Sequence, residues 1–211
     1  MVTWGNGGMT TPAMYPLLPH LASHGFVVVA SNNTMVTGDL VRAGLDWMEK
    51  QSEDASSPFY HKVDVHHAAG VGYSNGGLAT LSTADDPRYQ TIIIISGANV
   101  RADSRTANMP KLRTSIAYLC TDDQASKGNC AADYAAVKVP AFFGVMKGST
   151  HTSVLPGLLG EGKYVPLLNA ATTAWLRWQV AADRTLESTF LGTDCRLCTD
   201  SNWTVEPQKN W

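Results

Sequence analysis

The sequence predicts an α/β protein built on an open, mostly parallel sheet with helices on both faces, in one domain spanning residues 1–211. Three observations predict it. Short apolar, β-branched runs recur without polar alternation, the pattern of strands buried on both faces. Runs with helical spacing separate them, so strand and helix alternate along the chain. A glycine-bracketed serine, Gly72-Tyr73-Ser74-Asn75-Gly76, joins one such strand to one such helix.

Taken in order, "VTW" (2–4) is a strand that runs into the loop "GNGGMTTP", and residues 14–25 read as a helix closed by Gly25. "FVVVAS" (26–31) is expected as a buried strand. Residues 40–51 place Leu40, Val41, Leu45 and Met48 on one helical face. "HAAGVGYS" supplies the next strand and "GGLATLSTA" a helix that stops before Pro87. "TIIIIS" (91–96), "SIAYLC" (115–120) and "AFFGVM" (141–146) are three further buried strands, and residues 167–180 form an amphipathic helix. In such sheets, sites form in loops at the carboxyl ends of strands. The polar clusters follow "VTW", "GVGY", "SIAYLC" and "AFFGVM", which puts them all at that edge.

Composition narrows the function. With 44% hydrophobic and 16% charged residues the chain suits one sizeable core. A net charge of −2 without a basic run argues against nucleic acid as a partner. No apolar stretch approaches the roughly 20 residues of a membrane-spanning helix. The opening "MVTWGNGG" lacks the charged start and apolar core of a signal peptide. The four cysteines form two local pairs, Cys120 with Cys130 and Cys195 with Cys198. That density in a lightly charged chain points to disulfides and an exported protein. A zinc site would want two close pairs, and Cys120 and Cys130 are too far apart in sequence. His66 and His67 point to opposite faces of a strand, so no metal is expected there.

Between a strand and a helix, G-x-S-x-G has the context of a nucleophile elbow, in which Ser74 sits on a strained turn and the flanking glycines avoid collision. A serine hydroxyl needs a base, and the base an orienting acid. In this architecture the chain order is Ser, then Asp or Glu, then His. After Ser74 there is a single histidine, His151, in "KGSTHTS" just beyond a predicted strand. The acid belongs after "SIAYLC", where Asp122 and Asp123 are adjacent and only one can meet the imidazole. Asp133, farther on, reads as helical. An oxyanion needs two N–H donors. Asn75 supplies one at the start of its helix, and Asn6, in the glycine loop after "VTW", the other.

At these residues the chain resembles the bacterial cutinase and polyester (PET) hydrolase group of α/β-hydrolases, in the dienelactone-hydrolase-like branch. "LASHGFVVVASNNT", "SSPFYHKVD", "GYSNGG", "TSIAYLCTDD", "GSTHTS" and "ESTFLGTDC" carry the resemblance over most of the chain. It implies the α/β-hydrolase fold, hydrolysis of carboxylic esters or polyesters, secretion, a monomer, no cofactor and a shallow apolar groove flanked by Tyr73 and Asn99. It matches Ser74 to the nucleophile, His151 to the base, Asn6 and Asn75 to the oxyanion donors, and Asp122 rather than Asp123 to the acid. It also implies pairing of Cys120 with Cys130, because the family's cysteine after the base is replaced by Thr152 and Ser153.

The departures carry expectations too. The family has two strands before "VTW", so the sheet is expected to be reduced at that end. Members that act on aromatic polyesters place rings where Asn6 and Asn99 stand, so the groove is expected to be polar and weak in ring stacking. Two other readings compete: a non-catalytic relative binding through the same groove, and a dienelactone-type hydrolase. The latter usually has a cysteine nucleophile and arginines for a substrate carboxylate, whereas here the nucleophile position is serine and no arginine adjoins the motifs.

Overall fold

A computed structural model describes residues 1–155 and 162–211. Among the described residues seven strands form one sheet: β1 (Val2–Gly5), β2 (Val28–Ala30), β3 (Ala68–Tyr73), β4 (Tyr89–Ile95), β5 (Ser115–Thr121), β6 (Ala141–Met146) and β7 (Trp203–Val205). Their order is β2-β1-β3-β4-β5-β6-β7. All neighbours pair in parallel except β6 and β7. This is the α/β-hydrolase fold expected from the sequence. The three-residue β7 was not foreseen; it holds its place through pairing with β6 rather than through any pattern of its own.

Strand geometry explains the two cores. Successive side chains point to opposite faces, so Ile93 and Ile95 join one apolar cluster and Ile92 and Ile94 the other. All four are fully buried, each worth about 1.5–3 kcal/mol. The first face is covered by α1 (Leu17–Ser23) and α7 (Tyr164–Gln179), which contribute Leu17, Leu21, Leu168 and Trp175. The second is covered by α2 (Gly38–Glu53), α3 (Asn75–Leu81) and α6 (Asn129–Ala136), with Leu45, Met48, Leu81 and Tyr134. Three short helices complete the layers: α4 (Ala102–Asn108), α5 (Asp122–Ser126) and α8 (Arg196–Thr199).

One strand departs from expectation. β2 is an edge strand that pairs only with β1, and all three of its residues are half-buried rather than buried. Its unalternating valines still have a reason, since Val28 packs on one core and Val29 on the other.

Both cysteine pairs are disulfides. Cys120–Cys130 ties the end of β5 to α6, closing the short loop that holds Asp122 and Asp123.

Candidate active site

Ser74 stands between the last residue of β3 and the first of α3 with φ 55° and ψ −121°. This conformation costs a non-glycine residue on the order of 1–3 kcal/mol, so surrounding bonds must hold it. Its N–H donates to the Ile95 carbonyl at 3.0 Å, and its carbonyl accepts from the Gly77 and Leu78 N–H groups at 3.0 and 3.3 Å. The turn is tight enough that a Cβ on Gly72 would strike the Gly76 carbonyl, and one on Gly76 would strike the Gly5 carbonyl. The two motif glycines are therefore steric requirements.

His151 begins a 3-10 turn, His151–Val154, beyond β6. Its Nε2 lies 2.9 Å from Ser74 Oγ. The ring stacks on Tyr73, centroids 4.9 Å apart and planes 21° apart. The Tyr73 hydroxyl donates to the His151 carbonyl at 2.6 Å. On the opposite side of the ring, Nδ1 is buried and has no hydrogen-bond partner among the described residues. Burial pulls the imidazole below the usual histidine value; the charge of Asp123 opposes this and that of Lys127 reinforces it. A lowered pKa leaves the ring neutral at pH 7, the state in which Nε2 can accept a proton.

The two aspartates separate as soon as α5 begins. Asp122 is exposed, and its carboxylate accepts the Gly148 N–H at 2.8 Å. Asp123 accepts the Thr121 hydroxyl at 2.8 Å and the Gln124 amide at 3.3 Å. Burial pushes its carboxyl up, but the Thr121 hydroxyl, the His151 backbone N–H, Gln124 and the charge of the imidazole together hold it below the usual range. Asp122 was expected to meet His151; neither carboxylate hydrogen-bonds Nδ1, and it is the charge of Asp123 that acts on the imidazole. Adjacent residues in the first turn of a helix point about 100° apart, so a one-residue choice decides which carboxylate meets the ring.

Asn75 is the first residue of α3, where a helix leaves its N–H groups without partners. Its side chain is drawn aside to donate to the Val36 carbonyl at 3.1 Å. Asn6 is fully buried. Its amide donates to the Thr10 and Asn33 carbonyls at 2.6 and 3.1 Å, pinning the loop after β1. The Gly7 N–H in that loop is already taken by the Tyr15 hydroxyl at 2.9 Å.

Beside Ser74 lies a cleft of about 320 Å³ whose walls include His151, Leu78, Ala98, Val100 and Lys127. Neither residue expected along the groove is there. Tyr73 is 2% exposed and packs behind His151, so it positions the imidazole instead. Asn99 is fully buried. Its N–H and side-chain amide donate to Asp133 at 2.7 and 2.9 Å, and its side-chain oxygen accepts from Asn108 at 2.9 Å. Arg105 closes the network, donating to Asp133 at 2.7 Å. Asn99 thus anchors the cleft wall to α6, a role that no local pattern signals. The expectation that Asn6 and Asn99 make the groove polar fails for the same reason: both side chains face inward.

Val100 on the cleft wall is 68% exposed, and Met35 is 53% exposed. A Cβ on Gly8 would sit 3.5 Å from the Met35 sulfur and 3.9 Å from the Asn75 Cβ, which sets Met35 beside the proposed oxyanion donor. Among the described residues no cluster of three or more His, Cys, Asp or Glu side chains could hold a metal ion.

Comparison with known proteins agrees with this architecture. The model of the PETase family, described as PET hydrolase-like, matches residues 10–139, a span that includes Ser74 and both candidate acids and stops short of His151. No curated protein matches the chain. With more than half of its length matched by that model, the chain belongs to the PET hydrolase-like family of α/β-hydrolases, a family of ester hydrolases.

Proposed function

We propose that the protein is a serine carboxylic-ester hydrolase working through an acyl-enzyme. Ser74 attacks the ester carbonyl as His151 Nε2 takes its proton. The tetrahedral oxyanion is held by the N–H groups of Asn75 and Asn6, each such donor being worth about 10²–10³ in rate. His151 returns the proton to the departing alcohol, leaving an acyl group on Ser74. Water, deprotonated by the same imidazole, then releases the acid and restores the serine. Asp123 stabilises the imidazolium formed in both steps.

The observation that carries this reading is the 2.9 Å approach of His151 Nε2 to a serine held at positive φ. Leu78, Ala98 and Val100 on the cleft wall, with exposed Met35 near Asn75, support substrates with acyl or polyester chains laid across an open cleft. Two disulfides support action outside the cell. Among the described residues no helix is long and apolar enough to cross a membrane. We take the enzyme to act as a monomer.

The test is labelling with an organophosphonate, followed by peptide mapping and by turnover of 4-nitrophenyl butyrate. Label on Ser74, with hydrolysis abolished in a folded Ser74→Ala variant, is the expected result. Wild-type turnover by that variant would overturn the mechanism.

A further inference from the structure

Among the described residues that line the cleft beside Ser74, Lys127 is the one lysine, arginine or carboxylate. It caps the C-terminal end of α5, and among the described residues it forms no ion pair. The two nearby carboxylates are turned elsewhere. Asp122 is exposed and bound to the Gly148 N–H, and Asp123 accepts from Thr121 and Gln124. The remaining walls are neutral: Ser96, Gly97, Ala98, Val100, Leu78 and Gln124. A substrate in the cleft therefore meets a cation on its wall, and neither aspartate is among the described lining residues.

We propose that the cleft selects esters whose acyl portion carries a free carboxylate, and that Lys127 receives it. Half-esters of dicarboxylic acids are the chemical class, whether free or as the acid-terminated end of a polyester chain. The proposal rests on the esterase reading above. The acyl portion stays bound to Ser74 through both halves of the reaction, so a carboxylate placed against Lys127 is held during acylation and deacylation alike. Cation and anion meet at a cleft wall with water nearby, so the gain resembles a favourable exposed ion pair. That corresponds to about fivefold in selectivity.

The experiment compares kcat/KM for 4-nitrophenyl hydrogen glutarate with that for 4-nitrophenyl valerate, esters of similar length that differ in the terminal carboxylate. The ratio is measured at one pH on the activity plateau, so that any change at His151 cancels. The ratio is expected to fall about fivefold in Lys127→Met and to be retained in Lys127→Arg. In the wild type it is expected to decline as sodium chloride is added, because salt screens the contact. An unchanged ratio in Lys127→Met would overturn the proposal and leave Lys127 serving only the C-terminal dipole of α5. If the wild type hydrolyses neither ester, the esterase reading itself falls, a result distinct from equal ratios.

Discussion

The hydroxyl of Tyr73 donates to the backbone carbonyl of His151 at 2.6 Å while its ring stacks on the imidazole. The residue before the proposed nucleophile thereby holds the proposed base. β3 sets Ser74 through the chain and His151 through a side chain, so the two reacting groups share one support. Tyr73→Phe keeps the stack and loses the hydrogen bond, whose net worth is about 0.5–1.5 kcal/mol. The expected outcome is a several-fold fall in kcat with KM little changed, read from ester hydrolysis kinetics. Equal kcat in the variant would mean the turn His151–Val154 holds the ring by itself.

The aspartates are separable by the same assay. Asp123→Asn is expected to lower kcat by about three to four orders of magnitude, since the imidazolium would form without a compensating charge. Asp122→Asn should stay within a few-fold of wild type, because an asparagine oxygen can still accept the Gly148 N–H. The opposite ranking would return the acid's role to Asp122.

The pH dependence follows from the direction of the His151 shift. The groups that act on the ring are Asp123 and Lys127 from the 121–127 segment and the neutral, stacked Tyr73 from β3. Only neutral imidazole accepts the serine proton, and its folded pKa is lowered from 6.5. Activity is therefore expected to hold down through pH 6.5 and fall only below it. Removing the positive charge in Lys127→Met should move the acid limb up in pH. Removing the negative charge in Asp123→Asn should move the residual activity's limb down. A kcat/KM profile across acid pH checks all three directions, and a wild-type limb above 6.5 contradicts the burial argument.

Aromatic replacements at Asn6 and Asn99 test the inward orientation of both side chains. Asn99→Trp must break the Asp133 network, and Asn6→Tyr must release the loop at Thr10 and Asn33. Leaving such buried partners unsatisfied costs about 1–3 kcal/mol each. Both variants are expected to unfold at lower urea concentration without gaining hydrolysis of aromatic polyester film. A gain in film hydrolysis at unchanged stability would show that these side chains reach the cleft.

Much of the fold and the core of the site were legible in the chain itself. Unalternating runs such as "TIIIIS" marked strands covered on both sides, and those isoleucines do divide between two cores. Gly72 and Gly76 announced the turn at Ser74 because only glycine avoids the carbonyls there. His151 stood out as the one histidine following the serine. These signals are local: each depends on the residue types within a few positions and on the order of elements.

Only the tertiary structure decided which way several side chains face. It placed the charge of Asp123 where it acts on the imidazole, buried Tyr73 behind the ring, and withdrew Asn99 into a network with Asp133, Arg105 and Asn108. It also set Lys127 on the cleft wall and paired β7 with β6. Each outcome depends on the rotational phase of an element where it begins or ends, and on partners tens of residues away. A one-residue change in phase turns a helical side chain by about 100° and moves a strand side chain to the other face. Neighbouring residue types record neither the phase nor the partner, so packing across the sheet had to settle both.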